Sequence, residues 1–94
     1  MVEGKQYTVV MKRKVERDLR NLPSSVQETM AELAADLREL GPIRKDWSNF
    51  GALKDRKDEY HCHLSGSYSA CWRWEKGSDL IEVYYVGSRE DAPY

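Results

Sequence analysis

The last third of the chain carries three strand-like runs in succession, separated by very short turns. The runs are EYHCHL (59–64), SYSACWRWE (67–75) and DLIEVYYVG (79–87), and the segments between them contain SG and KGS. Aromatic and β-branched runs with glycine-containing connections of this length are typical of antiparallel hairpins. The chain is therefore constrained to an antiparallel meander, and its remaining segments must cover at least one face of that sheet.

The segments before the meander predict one more strand and two helices. QYTVVM (6–11) reads as a strand, and KRKVERDLRNL (12–22) places apolar residues at helical spacing until Pro23 ends the helix. A longer helix is predicted at 24–40, where SSVQETMAELAADLREL is followed by Gly41 and a proline. The order β-α-α-β-β-β indicates an α+β fold, with an antiparallel sheet and both helices packed on one of its faces.

Two finer predictions concern the longer helix. Ser24 or Ser25 is expected as its N-cap, because a Gln or Glu follows each serine three residues later, as in a capping box. Its apolar stripe is expected to enter the core. The stripe consists of Val26, Met30, Leu33, Ala34, Leu37 and Leu40.

Length and composition limit the classes of protein. Ninety-four residues make one small domain, expected to span 1–94, and no apolar run approaches the roughly 18–20 residues that cross a bilayer. The N-terminal residues show no signal-peptide pattern, so a cytosolic address is expected, with Cys62 and Cys71 as reduced thiols. The net charge of −1 does not indicate a nucleic-acid binder, although segment 12–22 carries five basic and two acidic residues. For such a helix face, solvation is the default reading.

The long connection at 43–58 shows no sustained period. Trp47, Phe50 and Leu53 are expected to pin it to the core.

The spacing of the first hairpin separates its side chains into two faces. If 65–67 form the turn, alternation places an apolar set on one face and a polar set on the other. The apolar set is Tyr60, Cys62, Leu64, Tyr68, Ala70 and Trp72; the polar set is Glu59, His61, His63, Ser69, Cys71 and Arg73. The apolar face is expected to lie under the helices, and the two histidines then point together, about 7 Å apart along the strand.

The last strand and the tail are expected to extend both faces. Ile81, Val83 and Tyr85 suit the core, whereas Glu82 and Tyr84 suit the polar face. Arg89 and Tyr94 in the tail should reach one rim of the polar face. Histidine titrates near neutrality and arginine fits a phosphate, so this set is consistent with acid–base chemistry on a phosphate. A solvated sheet face without a function predicts the same pattern.

The order of elements and several local patterns resemble the RelE/ParE superfamily of small toxins from bacterial toxin–antitoxin systems. The resemblance spans nearly the whole chain, from the basic helix ending in LRNLP to LKDRKDEY, the hairpin and the final VYYVGSRE. Residues at positions where the family pattern asks for them are Leu53, Tyr60, Gly66, Tyr68, Gly87 and Arg89.

The resemblance implies a function for the polar face. RelE-like toxins cut messenger RNA in the ribosomal A site without metal, by attack of a ribose 2′-hydroxyl on the adjacent phosphate. Arg89 matches an arginine that stabilises phosphate charge, Tyr94 lies near a C-terminal tyrosine used as base or stacking group, and His61 and His63 occupy positions of ionisable groups. Either histidine is expected to take the 2′-hydroxyl proton, with the other histidine or Tyr94 as the acid.

Further roles and partners follow from the same resemblance. Residues expected to contact RNA are Arg73, Tyr84, Lys54, Arg56 and Lys57, and Glu82 is expected to orient a histidine. The family usually has an arginine where Ser69 stands, and Arg73 lies on the same face two residue pairs further along. The implied partners are an antitoxin, which can form a hetero-oligomer with the toxin, and the ribosome with its mRNA; no cofactor, metal or membrane is implied.

Two alternatives remain open from the sequence. A binding module of the same fold, either a ParE-like gyrase inhibitor or an inactive relative that only binds an antitoxin, would keep the architecture without the chemistry, and Ser69 favours this reading. A metal site is the second alternative, since His61, His63 and Cys71 share a face and offer three ligands. Cys62 points to the other face in this register and cannot join them.

Overall fold

The computed structural model describes residues 6–94, and residues 1–5 of the expected domain lie outside the described residues. Within this range the polypeptide forms two helices and five strands. In chain order they are β1 (Thr8–Met11), α1 (Arg13–Arg20), α2 (Ser24–Leu40), β2 (Gly51–Ala52), β3 (Glu59–His63), β4 (Tyr68–Trp74) and β5 (Leu80–Ser88). The predicted α+β class and the order of helices and strands are confirmed, with β2 as an additional short strand. No helix in the described range is both long and apolar enough to span a bilayer.

The five strands form one sheet in the order β1-β5-β4-β3-β2. The predicted meander is present, because β3, β4 and β5 pair antiparallel in sequence. The sheet as a whole is mixed, since β1 lies parallel to β5. Two helices separate β1 from the rest of the sheet, and such a crossover allows the chain to return in the same direction. The two-residue β2 is too short to leave a sequence pattern.

The predicted register of the first hairpin is also confirmed. Tyr60 pairs with Trp72 and Cys62 with Ala70 on the apolar face, while His61 pairs with Cys71 on the polar face. This register fixes which side chains meet the helices and which lie on the opposite surface.

The core lies between the two helices and the apolar face of the sheet. Leu33 and Leu37 of α2 and Trp72, Ile81 and Val83 of the sheet are fully buried. Burial of an aliphatic or aromatic side chain of this size contributes about 1.5–3 kcal/mol. The indole N–H of the buried tryptophan donates to the Pro42 carbonyl at 3.0 Å, so its polar atom is satisfied.

Two predictions for α2 are wrong. Pro23 is its N-cap, and both Ser24 and Ser25 already lie inside the helix without a side-chain cap. The fixed φ of proline suits the entry to a helix, and the Gln27 side chain donates instead to the Leu22 carbonyl at 2.8 Å, joining the two helices. The last stripe residue, Leu40, is 58% exposed because the chain turns away at the helix end.

The connection between α2 and β3 is pinned as predicted. Trp47 donates from its indole nitrogen to Asp36 of α2 at 2.8 Å. The Phe50 ring stacks on Tyr60 with centroids 5.6 Å apart, and Leu53 is buried. This connection carries β2 along the outer edge of β3.

A β-bulge changes the prediction for the last strand. Cys71 pairs with Tyr85 and Trp72 with Val83, so Tyr84 is the extra residue between them. Tyr84 and Tyr85 consequently both lie on the polar face, and the prediction that Tyr85 enters the core is wrong. The bulge has no glycine or other signal in the sequence, and strict alternation therefore gave the wrong face.

Candidate functional site

The polar surface of β3, β4 and β5, opposite the helices, is called the site face below. It has two ends that differ in chemistry. The open end holds His63, Ser69, Arg89 and Tyr94, with His61 beside it. The paired end holds Glu59, Arg73, Glu82 and Tyr84.

Tyr94 crosses the open end and covers His61. The two rings are stacked, with centroids 4.0 Å apart and planes 13° apart. The Tyr94 hydroxyl donates to Ser69 Oγ at 2.9 Å, and Ser69 is fully buried. The tail thus reaches the predicted face, and it encloses a serine that the sequence alone leaves at the surface.

His61 lies in a narrow space between the tail and β2. Gly51 pairs with His61, and a Cβ at that glycine would come within 3.2 Å of Nε2. His61 Nδ1 is buried and makes no hydrogen bond within the described range. Burial lowers the pKa of His61, and the neighbouring His63 lowers it further. Both effects favour the neutral form of the imidazole.

Arg89 ties the tail to the turn between β3 and β4. Its Nη1 donates to the Gly66 carbonyl at 2.7 Å, and its backbone N–H donates to the Ser67 carbonyl at 2.9 Å. Its side chain is exposed and forms no ion pair with a carboxylate in the described part of the chain. Partial burial lowers the pKa of His63, and the Arg89 charge contributes to the same shift.

A cleft opens at the adjoining end of the sheet, between the β3–β4 turn and the tail, and neither histidine forms its walls. Its volume is about 530 Å³, and its walls are formed by Gly66, Ser67, Tyr68, Ser88, Arg89, Glu90 and Tyr94. The size is suitable for a nucleotide, and the walls combine a cation, a carboxylate, hydroxyls and aromatic rings. Arg89 and Tyr94, which the sequence proposes as site residues, both line this cleft.

At the paired end the charges are neutralised internally. Glu59 lies 3.8 Å from Arg73 Nη1 and accepts a hydrogen bond of 2.7 Å from the Tyr84 hydroxyl. Glu82 lies 3.6 Å from Arg73 and 3.9 Å from Lys12. The Arg73 guanidinium also sits over the Tyr84 ring, 4.7 Å from its centroid. Burial and then the bond to Glu59 raise the pKa of Tyr84.

This network overturns one expectation about orientation. Glu82 contacts Arg73 and Lys12, so it does not orient a histidine as predicted. The basic residues between β2 and β3 are exposed. Arg56 lies 3.6 Å from Glu59, while Lys54 and Lys57 reach solvent.

The two cysteines are free thiols, as predicted, and lie on opposite faces. Both are fully buried, and burial raises the pKa of Cys62 and of Cys71 to about 12. Within residues 6–94, no three His, Cys, Asp or Glu side chains are arranged to hold a metal ion. The alternative of a site made by His61, His63 and Cys71 therefore lacks its ligand geometry.

Sequence reasoning missed the glycines that let rings lie flat on the site face. Besides Gly51 under His61, Gly87 lies under Tyr85, where an added Cβ would come within 2.8 Å of the tyrosine oxygen. Tyr85 donates from its hydroxyl to the Ser88 carbonyl at 2.6 Å. Gly87 stands in the VGSR pattern, but nothing in the sequence marks Gly51, because β2 itself has no pattern.

Comparison with solved structures identifies the fold. A RelE–RelB complex from the archaeon Pyrococcus horikoshii matches with a TM-score of 0.77 and 21% identity, over 93% of this chain and 99% of that chain. The isolated E. coli RelE toxin matches with a TM-score of 0.69 and 18% identity, over 93% and 88%. A YoeB dimer from Staphylococcus aureus matches with a TM-score of 0.72 and 9% identity, over 87% and 95%.

The sequence itself matched no protein-family model and no curated protein. At these identities the structural likeness establishes the architecture, and the chain has the RelE-like toxin fold. The fold expected from the sequence resemblance is thereby confirmed.

Proposed function

We propose that this chain is the toxin of a toxin–antitoxin pair and that it cuts mRNA on the ribosome in the cytosol. Structures of the same fold include the RelB–RelE complex of Methanococcus jannaschii and the E. coli RelBE complex. An antitoxin is accordingly the proposed partner of this chain, with which it would form a hetero-oligomer. The ribosome and its mRNA are the proposed target.

The observation that carries the nuclease proposal is the open end of the site face. There Arg89, without a carboxylate partner in the described range, lies beside His63 and a cleft of about 530 Å³. Cleavage of RNA by its own 2′-hydroxyl needs a base, a cation for the phosphate charge and an acid for the leaving oxygen. No external nucleophile is required, so a small cleft on an open sheet is sufficient.

The chemistry assigns one step to each group. His63 takes the proton of the 2′-hydroxyl as its oxygen forms a bond to phosphorus, and Arg89 stabilises the charge that grows on the phosphate. The bond from phosphorus to the 5′-oxygen then breaks, and that oxygen receives the proton of the Tyr94 hydroxyl, which in this step no longer donates to Ser69. The products are a 2′,3′-cyclic phosphate and a free 5′-hydroxyl. The lowered pKa of His63 favours the neutral imidazole that a base requires.

The remaining basic and aromatic residues are proposed to hold the RNA on either side of the cut. Arg73 and Tyr84 would meet the backbone and a base across the sheet, and the exposed side chains of Lys54, Arg56 and Lys57 would meet phosphates along its edge.

Induced expression tests the proposal. The wild type should arrest growth, and primer extension should show new mRNA ends inside translated regions. His63→Ala should lower cleavage by about 10²–10⁴-fold, the usual contribution of a general base. Purified protein should cut ribosome-bound mRNA, and Arg38→Ala, an exposed change on α2, is the matched control.

One observation favours a second function. Ser69 stands where the family usually has an arginine, and Arg73 is held between two carboxylates. A gyrase inhibitor or an antitoxin-binding relative without nuclease activity would tolerate both features. Growth arrest with intact mRNA and inhibited gyrase supercoiling would contradict the nuclease proposal, as would a wild type and His63→Ala that are equally harmless.

A further inference from the structure

The position of Tyr94 depends on contacts with two side chains of the sheet. Its ring stacks on His61, and its hydroxyl donates to Ser69. Tyr94 as a whole residue is 47% exposed, and it lines the cleft together with Arg89. One face of the ring is therefore used for holding it in place, while its other side contributes to the cleft.

His61 is placed for stacking more than for proton transfer. Tyr94 covers one face of the imidazole, and Nδ1 is enclosed without a hydrogen bond in the described range. The other nitrogen, Nε2, lies beside the bare backbone of Gly51. A Cβ at that glycine would stand 3.2 Å from Nε2, so the imidazole would have to move by a few tenths of an ångström, and we expect this shift to disturb the flat stack.

Ser69 completes the same arrangement. It is fully buried, pairs with His63 across the sheet, and accepts the hydrogen bond from Tyr94. An arginine at this position could not be enclosed in the same way, because its charge would remain without a partner. The departure from the family pattern at Ser69 is thus coupled to the way in which Tyr94 is held.

We propose that Gly51, His61 and Ser69 are positioning residues that fix the Tyr94 ring beside Arg89, and that His61 acts through its ring face. The proposal rests on the function proposed above for its effect on cleavage, but the arrangement itself is measurable without RNA. It assigns the two histidines to different tasks, with His63 as the base and His61 as the platform for Tyr94.

Two substitutions of His61 distinguish a stacking role from proton transfer. His61→Phe keeps an aromatic platform and has no titrating group, whereas His61→Ala removes both. We expect His61→Ala to lower cleavage by up to about 100-fold through misplacement of Tyr94, and His61→Phe to recover most of that loss. The acidic limb of the pH–rate profile should persist in His61→Phe. A phenylalanine variant as inactive as the alanine variant, or one without the acidic limb, would show that His61 transfers a proton and would overturn the proposal.

The NMR signals of the Tyr94 ring provide a readout that is independent of cleavage. In the wild type the imidazole should shift these signals away from those of an exposed tyrosine, and Gly51→Ala should move them back. Ala52→Ser, on the exposed neighbour in the same strand, is the matched control and should leave them unchanged. Unchanged Tyr94 signals in Gly51→Ala would overturn the role of this glycine.

Ser69→Ala covers the case in which Gly51→Ala does not fold. It removes one oxygen and leaves the strand register intact, so the Tyr94 signals should broaden or shift toward those of a free ring. Signals identical to the wild type would show that the hydroxyl bond does not hold the tail. If the wild type cuts no RNA, the nuclease proposal fails, and these spectra still decide the positioning proposal.

Discussion

The two ends of the site face contain similar residue types in different electrostatic settings. At the paired end, Arg73 lies between Glu59 and Glu82, at 3.8 and 3.6 Å. At the open end, Arg89 donates to the Gly66 carbonyl and has no carboxylate partner in the described range. An incoming phosphate meets an available charge at one end and must compete with two carboxylates at the other.

This difference leads us to expect that Arg73 does not replace the arginine that the RelE-like pattern has where Ser69 stands. Ion pairs at 3.6–3.8 Å on a half-exposed arginine contribute little to stability, about 0.2–1 kcal/mol each. They nevertheless cancel the local charge and fix the guanidinium over the Tyr84 ring. We therefore expect the paired end to support the sheet, chiefly through the bond from Tyr84 to Glu59, and the open end to carry the proposed chemistry.

The largest effect should come from removing Arg89, the cation of the open end. Arg89→Ala should lower the cleavage rate by about 10²–10³-fold, the usual loss when one charge-stabilising group is removed. Arg89 also helps to lower the pKa of His63, after the effect of burial. The neutral imidazole is the active base, so the cleavage rate should fall as the pH drops through the pKa of His63. The midpoint of this acidic limb should lie below pH 6.5 in the wild type and move upward in Arg89→Ala.

Thermal unfolding of Arg89→Ala shows whether the lower cleavage rate comes from the lost charge or from a tail that is no longer bonded to the Gly66 carbonyl. Arg89→Lys keeps a cation without the planar fork, and its cleavage rate should lie between those of Arg89→Ala and the wild type. An Arg89→Ala protein that cuts RNA at the wild-type rate would show that the open end is not the reactive end.

A smaller effect, on stability, is expected at the paired end. The Glu59 side chain is only 16% exposed and accepts the Tyr84 hydroxyl bond. Glu59→Ala should lower the free energy of unfolding by about 1–3 kcal/mol, because it removes the acceptor of a half-buried hydroxyl. Glu59→Gln keeps an acceptor and should lose less. Urea unfolding measures both variants.

The exposed Glu75→Ala is the control for this measurement. If Glu59→Ala is no less stable than Glu75→Ala, the paired end does not support the sheet, and its contrast with the open end disappears.

The sequence predicted the meander, the two helices and the hairpin register because these depend on local periodicity. Trp72 and His61 fall on their faces by alternation alone. Alternation failed at Tyr85, where a bulge with no sequence signal reverses the pattern. It also could not show that Tyr94 would fold back onto His61, since the contact joins residues on distant segments.

The site was predicted as a set of residues but not as an arrangement. Ser69 was expected at the surface as a lost phosphate contact, and it is instead enclosed beneath the tail. Which arginine is paired and which is free depends on distances between side chains of three strands. Such distances are not encoded in the spacing within any one strand.

The smallest effect should follow from removing the paired cation. Because Glu59 and Glu82 already neutralise Arg73, Arg73→Ala should weaken RNA binding by less than about fivefold, or about 1 kcal/mol. Glu82→Gln tests the same idea in the opposite direction, since it releases the guanidinium from one carboxylate and should strengthen binding slightly at low salt. Fluorescence anisotropy with a short RNA measures both variants. If Arg73→Ala weakens RNA binding as much as Arg89→Ala does in the same measurement, the two ends bind RNA as one surface. Charge compensation within the protein then fails to limit which cations a phosphate can reach.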